Sequence, residues 1–380
     1  MKRPLIFILA ILMLPLPAFA VPEMEPLPVI SAVLMEGSTG QVLYSQKPDE
    51  KLPPASVTKI MTLLIVMEAV ESGKLDLEGK ITCSETAASM GGSQIYLEEN
   101  EVFTANELIK AVSIASANDA AVALAEEVAG SELGFVAKMN ERARELGMEN
   151  TTFKNCTGLD ADGHLTTAMD IAKMSRELIR HDLIREYSAI WMDSVRNGEF
   201  GLTNTNRLIR TYKGATGLKT GFTNRAMFCL SATAERDGMA LISVVMGANN
   251  SNVRFNSAKA LLDYGFAHYT LINIEPEFEF YTIPVTKGLK KEVTAVVEGI
   301  EPILAERDSF KEVERRMELI ESVEAPVAAG QKLGEFVVLT DGKELARYPV
   351  VASEAVGKLG FPEVFRRLLG NVVENNQHVD

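Results

Sequence analysis

Cysteine and histidine, which bind zinc and, for cysteine, carry out redox chemistry, are scarce in this chain. Its 380 residues include only 3 Cys and 4 His. Cys83, Cys156 and Cys229 show no C-x-x-C spacing, and an odd count leaves at least one thiol free in a monomer. Four scattered histidines do not suggest a zinc site. We therefore expect no metal and no cofactor, and we expect all three thiols to be buried.

Basic residues and long apolar runs are also scarce. The chain has 38 Lys and Arg against 52 Asp and Glu, a net charge of −14, so nucleic acid is a poor candidate partner. Beyond the amino terminus, no segment reaches the roughly 18 apolar residues that span a bilayer. Lys2-Arg3, an apolar run from Leu5 to Leu14 and Ala18-Phe19-Ala20 predict a secretory signal peptide over residues 1–20. We expect an exported, extracytoplasmic protein, either periplasmic or on the outer face of the cytoplasmic membrane.

The first of three polar motifs is Ser56-Val57-Thr58-Lys59. Pro53-Pro54 precedes a helix expected to open at Ala55-Ser56, and Ile60 to Val70 make this helix apolar on nearly every side, with Gly73 at its end. Ser56 and Lys59 would share one face. A lysine accepts a proton only if burial and nearby cations lower its pKa toward neutrality. The motif favours a serine nucleophile with a lysine base, although alone it would more simply be a core helix with a surface lysine.

The second motif, Ser116-Ala117-Asn118, lies at a predicted helix junction. Thr104-x-x-Glu107 is a capping box that opens the preceding helix, and an alanine-rich helix follows and ends near Gly130. A serine here can relay a proton, and an asparagine amide can hold a substrate carbonyl. Alone, the motif indicates no more than a polar junction.

The third motif, Lys219-Thr220-Gly221, is placed just before a strand-like run. Phe228 to Ala232 and Leu241 to Met246 predict two buried strands joined by a turn over residues 235–238. Lys219 would supply a fixed positive charge and Thr220 a hydroxyl. Gly221 would let a substrate backbone lie along the strand edge. A solvent-exposed turn is the alternative.

In this order and spacing, the three motifs resemble those of the penicillin-binding D-alanyl-D-alanine carboxypeptidases, low-molecular-mass serine peptidases of bacterial cell-wall maturation. The stretches Gly158 to His164 and Val244 to Gly247 extend the resemblance over nearly the whole mature chain. The sequence departs from the family at Ala117, where glycine is more usual. It departs again at Phe222, where some members have histidine.

The resemblance implies a role for each motif residue. Ser56 would attack the carbonyl between the last two D-alanines and form an acyl-enzyme, Lys59 would take its proton, and Ser116 would pass a proton to the departing D-alanine. The backbone N–H groups of Ser56 and Phe222 would form the oxyanion hole. The implied substrate-binding residues are Asn118, Lys219, Thr220, Gly221, Phe222 and Arg254. Arg254 would lie near the terminal carboxylate, and its alternative is a surface arginine before a helix.

The element pattern predicts an α+β fold. An opening hairpin, Val29 to Met35 and Val42 to Ser45, would join the strands between Phe228 and Gly247 in one antiparallel sheet with helices on its faces. The resemblance assigns this DD-peptidase/β-lactamase-like domain to residues 21–272. A small β-rich domain is expected over 274–355, from the alternation in Glu277 to Phe280 and a hairpin at Asp341-Gly342.

Residues 356–380 are expected to form an amphipathic helix and a tail. Apolar residues between 361 and 373 recur at helical spacing and predict a single apolar stripe. Such a helix can lie in a membrane interface, the tether that the resemblance suggests, or it can pack on the β-rich domain.

The expected function is serine-type D-Ala-D-Ala carboxypeptidase activity on peptidoglycan pentapeptides, with inhibition by penicillin and other β-lactams. DD-endopeptidase or β-lactamase activity on the same fold and a catalytically silent wall-binding protein are the alternatives. A class A β-lactamase needs Glu-x-x-x-Asn between the second and third motifs, and none occurs between Asp119 and Lys219. Against the silent protein, every catalytic position is intact. Cys156 paired with His164 is a minor alternative nucleophile.

Overall fold

The computed structural model describes residues 24–272, 274–309, 312–361 and 363. The predicted signal peptide lies outside these residues, as does the predicted helix over 361–373 except for Phe361 and Glu363. The chain forms two compact units. The first contains 24–278 and 298–304, and the second contains 279–297 and the described residues after 304. The domain boundaries given above stay a prediction.

A five-stranded antiparallel sheet is the centre of the first unit. Its strands are β1 (Ser31–Glu36), β2 (Val42–Gln46), β7 (Ala215–Thr223), β8 (Met227–Arg236) and β9 (Met239–Ala248). They run in the order β2-β1-β9-β8-β7. The prediction that the opening hairpin joins the later strands is confirmed.

Nine α-helices surround this sheet in the described part of the first unit. They are α1 (Lys59–Glu71), α2 (Glu85–Ala88), α3 (Ala105–Lys110), α4 (Asn118–Ala129), α5 (Glu132–Glu145), α6 (Ala168–Leu178), α7 (Asp182–Ser188), α8 (Leu208–Thr211) and α9 (Ser251–His268). The short strands of the unit are β3 (Lys80–Thr82), β4 (Val102–Thr104), β5 (Met192–Val195), β6 (Phe200–Thr203) and β10 (Tyr269–Ile272). β3 pairs with β4 and β5 with β6.

The sheet separates two apolar clusters because successive side chains of a strand point to opposite faces. Val33 and Met35 of β1 belong to a cluster with α1 and α4, whereas Ala32 and Leu34 belong to a cluster with α9. α1 is buried along nearly its whole length, which its continuous apolar sequence predicted.

The third motif directly precedes the predicted strand, here β8, but it also lies in a strand of its own, β7, and not in a solvent-exposed turn. Lys219 pairs with Ser231 and Gly221 with Cys229 across β7 and β8. The polar composition of the motif hid the strand from a search for apolar runs. β7 is the last strand of the sheet, and its other edge has no strand partner among the described residues.

The second unit contains a six-stranded sheet in the order β14-β16-β17-β12-β11-β15. Its strands are β11 (Tyr281–Thr286), β12 (Glu292–Val297), β14 (Val313–Leu319), β15 (Val323–Glu324), β16 (Lys332–Thr340) and β17 (Lys343–Ala352). The strand β13 (Ile303–Glu306) is not part of this sheet. The hairpin at Asp341-Gly342 is confirmed. The strand predicted over Glu277 to Phe280 is wrong, because pairing begins only at Tyr281 and Phe278 and Phe280 are 56% and 60% exposed.

Candidate active site

The first motif places a serine and a lysine side by side. Ala55–Thr58 is a 3-10 turn, and α1 begins only at Lys59, so Ser56 precedes the α-helix that was expected to start at Ala55-Ser56. Lys59 Nζ lies 3.0 Å from Ser56 Oγ. Ser56 is partly exposed, whereas Lys59 is completely buried. The hydroxyl is therefore open to a substrate while the amine is withdrawn from water.

Two further acceptors fix the amine of Lys59. Nζ donates to Asn118 Oδ1 at 2.6 Å and to the Thr157 carbonyl at 2.7 Å. The Asn118 amide is oriented by its Nδ2, which donates to the Gly91 carbonyl at 2.6 Å. Neither of these two oxygens can donate a hydrogen bond to the amine. A neutral amine has two N–H bonds, and donation of both to these oxygens leaves its lone pair for Ser56.

Burial lowers the pKa of Lys59 to about 7, and the neighbouring Cys156 and Asp119 act in the opposite direction. The sequence analysis expected burial and nearby cations together to lower the pKa of Lys59. Burial is confirmed, but repulsion between cations is instead a cause of the lowered pKa of Lys219. Near neutral pH, Lys59 can accept a proton, as a general base must.

The second motif lies where one helix ends and the next begins. A π-helical turn over Ala111–Ala115 leads to Ser116, which has left-handed backbone angles (φ 65°) and is 4% exposed. α4 then starts at Asn118, so the junction is confirmed, as is the capping box at Thr104. Asp119 accepts the N–H groups of residues 95 and 97 and thereby holds the stretch whose Ser93 carbonyl accepts the N–H of Asn118.

The third motif approaches the nucleophile through Gly221. A Cβ added at Gly221 would lie 3.0 Å from the Pro54 carbonyl oxygen and 3.1 Å from the Ser56 nitrogen. Any larger residue here would push β7 and the turn of Ser56 apart by a few tenths of an ångström. Phe222 follows on the strand, and its half-exposed ring packs on Phe228 with centroids 4.4 Å apart.

Lys219, which the sequence analysis expected to supply a fixed positive charge, is buried beside two other basic residues. Lys219 is 1% exposed, and its Nζ donates to the Thr220 carbonyl at 3.0 Å. Burial, followed by the charges of Lys59 and Arg254, holds the pKa of Lys219 well below its usual value. A bound anion would favour the protonated form of Lys219.

Thr205, which no sequence pattern indicated, joins the second and third motifs. Thr220 Oγ1 donates to Thr205 Oγ1 at 2.7 Å, and Thr205 N–H donates to the Ile114 carbonyl at 3.1 Å. Thr205 lies in a polar stretch between β6 and α8 that resembles an ordinary loop. Its position is set by contacts distant in sequence.

Arg254 lies in the first turn of α9 and is only 7% exposed, so the surface alternative is wrong. Its Nη1 donates to the carbonyls of Gly221 at 3.3 Å and Cys229 at 3.4 Å. The guanidinium stacks near the rings of Phe228 and Phe255. Burial lowers the pKa of Arg254 to about 10, and its Nε has no hydrogen-bond partner.

Asn155 shapes the loop that presents the Thr157 carbonyl to Lys59, and no sequence pattern indicated either role. Asn155 Oδ1 accepts the N–H of Thr157 at 3.2 Å, its hydroxyl at 3.2 Å, and the N–H of Gly158 at 2.7 Å. A Cβ at Gly158 would lie 1.9 Å from the Ala55 carbonyl oxygen, and its φ is +88°. This loop is packed directly on the turn that holds Ser56.

The alternative of a Cys156–His164 nucleophile is wrong, because each residue has another partner. Cys156 Sγ contacts Glu132 Oε1 at 3.3 Å, and burial raises its pKa. His164 Nδ1 accepts the N–H of Lys154, which leaves Nε2 to donate to Thr58 Oγ1 at 2.9 Å. Burial lowers the pKa of His164 to about 4. The three cysteines are free thiols and all are buried, as predicted.

Comparison with known proteins identifies two families along the chain. The family described as D-alanyl-D-alanine carboxypeptidase matches residues 22–250, and the one described as penicillin-binding protein 5, C-terminal domain, matches residues 274–358. D-alanyl-D-alanine carboxypeptidase DacF of Bacillus subtilis is 41% identical over 346 residues, which are 90% of this chain and 89% of that protein. DacC of Escherichia coli is 36% identical over 356 residues, with coverages of 90% and 89%.

Comparison with solved structures gives the same family. Penicillin-binding protein 5 from Haemophilus influenzae matches with a TM-score of 0.72 and 31% identity, covering 89% of this chain and 100% of that one. Penicillin-binding protein D2 from Listeria monocytogenes, in its ampicillin-bound form, matches with a TM-score of 0.59 and 33% identity, covering 64% and 100%. By sequence and by structure, this chain belongs to the family of D-alanyl-D-alanine carboxypeptidases.

Proposed function

We propose that this protein is a serine-type D-Ala-D-Ala carboxypeptidase that removes the terminal D-alanine from peptidoglycan stem peptides. The observation that carries the proposal is the environment of Lys59. Its buried amine lies 3.0 Å from Ser56 Oγ, and two acceptors that cannot donate occupy its other directions. This arrangement supplies a neutral base next to a partly exposed hydroxyl.

In the acylation step, Ser56 Oγ attacks the carbonyl carbon between the last two D-alanines while its proton moves to Lys59 Nζ. The N–H groups of Ser56 and Phe222 stabilise the oxyanion of the tetrahedral intermediate, and each such donor typically contributes about 10²–10³ in rate. The C–N bond then breaks. The proton passes from Lys59 to the leaving amine with the help of Ser116, and D-alanine departs.

In the deacylation step, water attacks the ester carbonyl of the acyl-enzyme. Lys59 takes one proton from this water and returns it to Ser56 Oγ as the ester bond breaks. The shortened stem peptide leaves with a new terminal carboxylate, and the enzyme is regenerated. A β-lactam that imitates the D-Ala-D-Ala amide enters by the same acylation step.

Substrate binding is assigned to the open edge of β7 and its surroundings. An extended peptide can add to this edge by main-chain hydrogen bonds. Asn118 orients the donor peptide. Lys219, Thr220 and Arg254 hold the terminal carboxylate, and Gly221 gives the peptide backbone room to approach.

The direct test is incubation of the protein without its first 20 residues with a peptide ending in D-Ala-D-Ala, with measurement of free D-alanine. We expect release that penicillin blocks and that Ser56→Ala abolishes. Ser93→Ala is the matched control, because the Ser93 carbonyl accepts the N–H of Asn118 in the second motif but its hydroxyl has no part in the proposed chemistry. Release by the Ser56→Ala variant, or no release by the unmodified protein, would contradict the proposal.

Export is proposed from the amino-terminal pattern alone. Cleavage after Ala20 would give a mature chain that starts at Val21, acting outside the cytoplasmic membrane where peptidoglycan lies. The mass and the amino-terminal sequence of the protein recovered from a secreting host test this. A chain that retains Lys2-Arg3 and stays inside the cells would contradict it.

Peripheral membrane contact through residues 361–373 is a separate proposal, supported by the apolar stripe in the sequence. No helix among the described residues is long and apolar enough to span a bilayer. Deletion from Gly360 onward should reduce partitioning onto anionic lipid vesicles. Equal partitioning of the full mature chain and the truncated chain would assign the stripe to packing instead.

A further inference from the structure

A carboxylate is buried directly after the second motif. Asp119 is 0% exposed, and among the residues that the structure describes no basic side chain lies within ion-pair distance of it. Its Oδ1 accepts the N–H of Ala120 at 2.9 Å, and its Oδ2 accepts those of Ile95 at 3.0 Å and Leu97 at 3.1 Å. Burial of a charge without an ion-pair partner is costly, so we looked for a use of this charge.

The hydrogen bonds of Asp119 fix a segment that has no regular secondary structure. Residues 91–97 form neither a helix nor a strand. The carbonyl of residue 91 accepts Asn118 Nδ2 at 2.6 Å, and the carbonyl of residue 93 accepts the Asn118 N–H at 2.7 Å. Asn118 Oδ1 in turn accepts Lys59 Nζ at 2.6 Å. The orientation of this acceptor for the base therefore depends on the segment that Asp119 holds.

Asp119 also acts on Lys59 through its charge. Burial lowers the pKa of Lys59 to about 7, and the charges of Cys156 and Asp119 counteract this effect. Burial raises the pKa of the Cys156 thiol well above its usual value, so the thiol is uncharged near neutral pH. Of these two groups, Asp119 is then the one that carries a negative charge. It favours the protonated form of Lys59, whereas Lys219, the basic neighbour on β7, opposes that form.

The other titratable groups on which Asp119 acts leave its charge in place. Burial, followed by the charge of Asp119, raises the pKa of Cys83 to about 11, so this thiol is uncharged near neutral pH. Arg196 also lies in the field of Asp119, but its Nε is ion-paired with Glu101 at 2.7 Å. The negative charge of Asp119 is therefore available to Lys59.

We propose that Asp119 is a positioning residue that fixes the segment orienting Asn118 and stabilises Lys59 while this residue holds the proton of Ser56. The proposal rests on the proposed function, in which that proton moves to Lys59 Nζ during acylation and then to the leaving amine. The transfer creates a positive charge on a buried amine. A carboxylate already held by backbone N–H groups offsets this charge without rearrangement, and Asp119 itself takes no proton.

The test measures covalent labelling of the protein without its first 20 residues by a fluorescent penicillin between pH 5 and 9. Asp119→Asn removes the charge and keeps an oxygen that can accept the N–H groups of residues 95 and 97. The midpoint of the acylation rate against pH should move to lower pH by about one unit, because Lys59 loses the charge that favours its protonated form. The plateau above the midpoint should fall about three- to tenfold, because a weaker base accepts the serine proton less readily.

Asp170→Asn is the matched control. Asp170 is likewise buried, at 2% exposed, and accepts the N–H of Asn150, but it is not among the groups that act on Lys59. This variant should leave the midpoint in place. Asp119→Ser replaces Asp119→Asn if thermal unfolding shows that the latter does not fold.

A slower reaction with an unmoved midpoint in the Asp119 variant would make Asp119 a structural residue and overturn the proposal. An equal displacement of the midpoint in Asp170→Asn, or failure of both Asp119 variants to fold, would overturn it as well. An unmodified protein that forms no adduct with penicillin would instead refute the proposed function. The two failures are therefore distinguishable.

Discussion

Replacement of Lys59 by arginine should nearly abolish acylation by penicillin. Lys59 is completely buried, and its pKa is about 7 instead of 10.5. Half of the enzyme then holds a neutral amine at pH 7, compared with about 1 in 3,000 for a lysine of ordinary pKa. Arginine stays protonated at any pH that proteins tolerate. We therefore expect Lys59→Arg to acylate at least about 10³-fold more slowly.

The pH profile gives a second measure of the same group. Because the neutral amine is the active form, the acylation rate should rise about tenfold per pH unit below 7 and level off above it. The assay is the rate of covalent labelling by a fluorescent penicillin between pH 5 and 9. Lys219→Arg is the control, since it keeps a cation for the carboxylate and should retain partial activity. A flat profile, or equal rates in the two arginine variants, would refute the assigned roles.

The lowered pKa of Lys59 also makes the stability of the folded protein depend on pH, and the direction of this dependence follows from the shift. The unfolded chain binds a proton at Lys59 up to a pH of about 10.5, whereas the folded protein releases it near 7. Between these values the unfolded state holds more protons, so the contribution of Lys59 to stability increases as pH rises. Below pH 7 the folded protein bears a cost of about 5 kcal/mol at this one residue. The difference in unfolding free energy between unmodified protein and Lys59→Met, measured against pH, should show this slope.

Three further changes test other parts of the site. Ser56→Ala should eliminate the penicillin adduct, and mass spectrometry that places an adduct on another serine would disprove its role. Asn155→Ala should slow acylation about tenfold because the Thr157 carbonyl loses its support, whereas Asn155→Asp keeps the acceptor oxygen and should lose less; equal losses would contradict this. Gly158→Ala should lower the unfolding free energy by more than about 4 kcal/mol, since its Cβ would overlap a backbone carbonyl. Gly163→Ala, also at positive φ but facing only a lysine side chain, should cost about 1–2 kcal/mol in thermal unfolding, and similar losses at both glycines would disprove the steric argument.

Local chemistry made much of the fold predictable. The apolar run after Lys59 predicts a buried helix, Thr104 and Glu107 predict a cap, and Asp341-Gly342 predicts a hairpin turn, and each of these signals lies within a few residues. The strand that carries Lys219 could not be seen in this way. Its polar residues are held by pairing with β8, a contact that no short window of sequence contains.

The residues of the candidate site also fall into two groups, those that could be recognised from the sequence and those that could not. Ser56, Lys59 and Lys219 are recognisable because their chemistry requires particular side chains. Thr205 and the Thr157 carbonyl are not, because a hydroxyl in a loop and a backbone oxygen occur everywhere in a sequence. The lowered pKa of Lys219 was equally hidden, since it depends on burial beside two other basic residues.

The open edge of β7 has a consequence for resistance to inhibitors. A strand edge recognises the peptide main chain, which is the same whatever side chains the peptide carries. This tolerance suits a wall polymer of variable composition, but it equally admits a rigid molecule that imitates one amide. At this edge, a larger residue at Gly221 would meet the turn that holds Ser56 and would hinder the peptide and the inhibitor alike. Resistance through this edge would therefore impair turnover of the natural polymer.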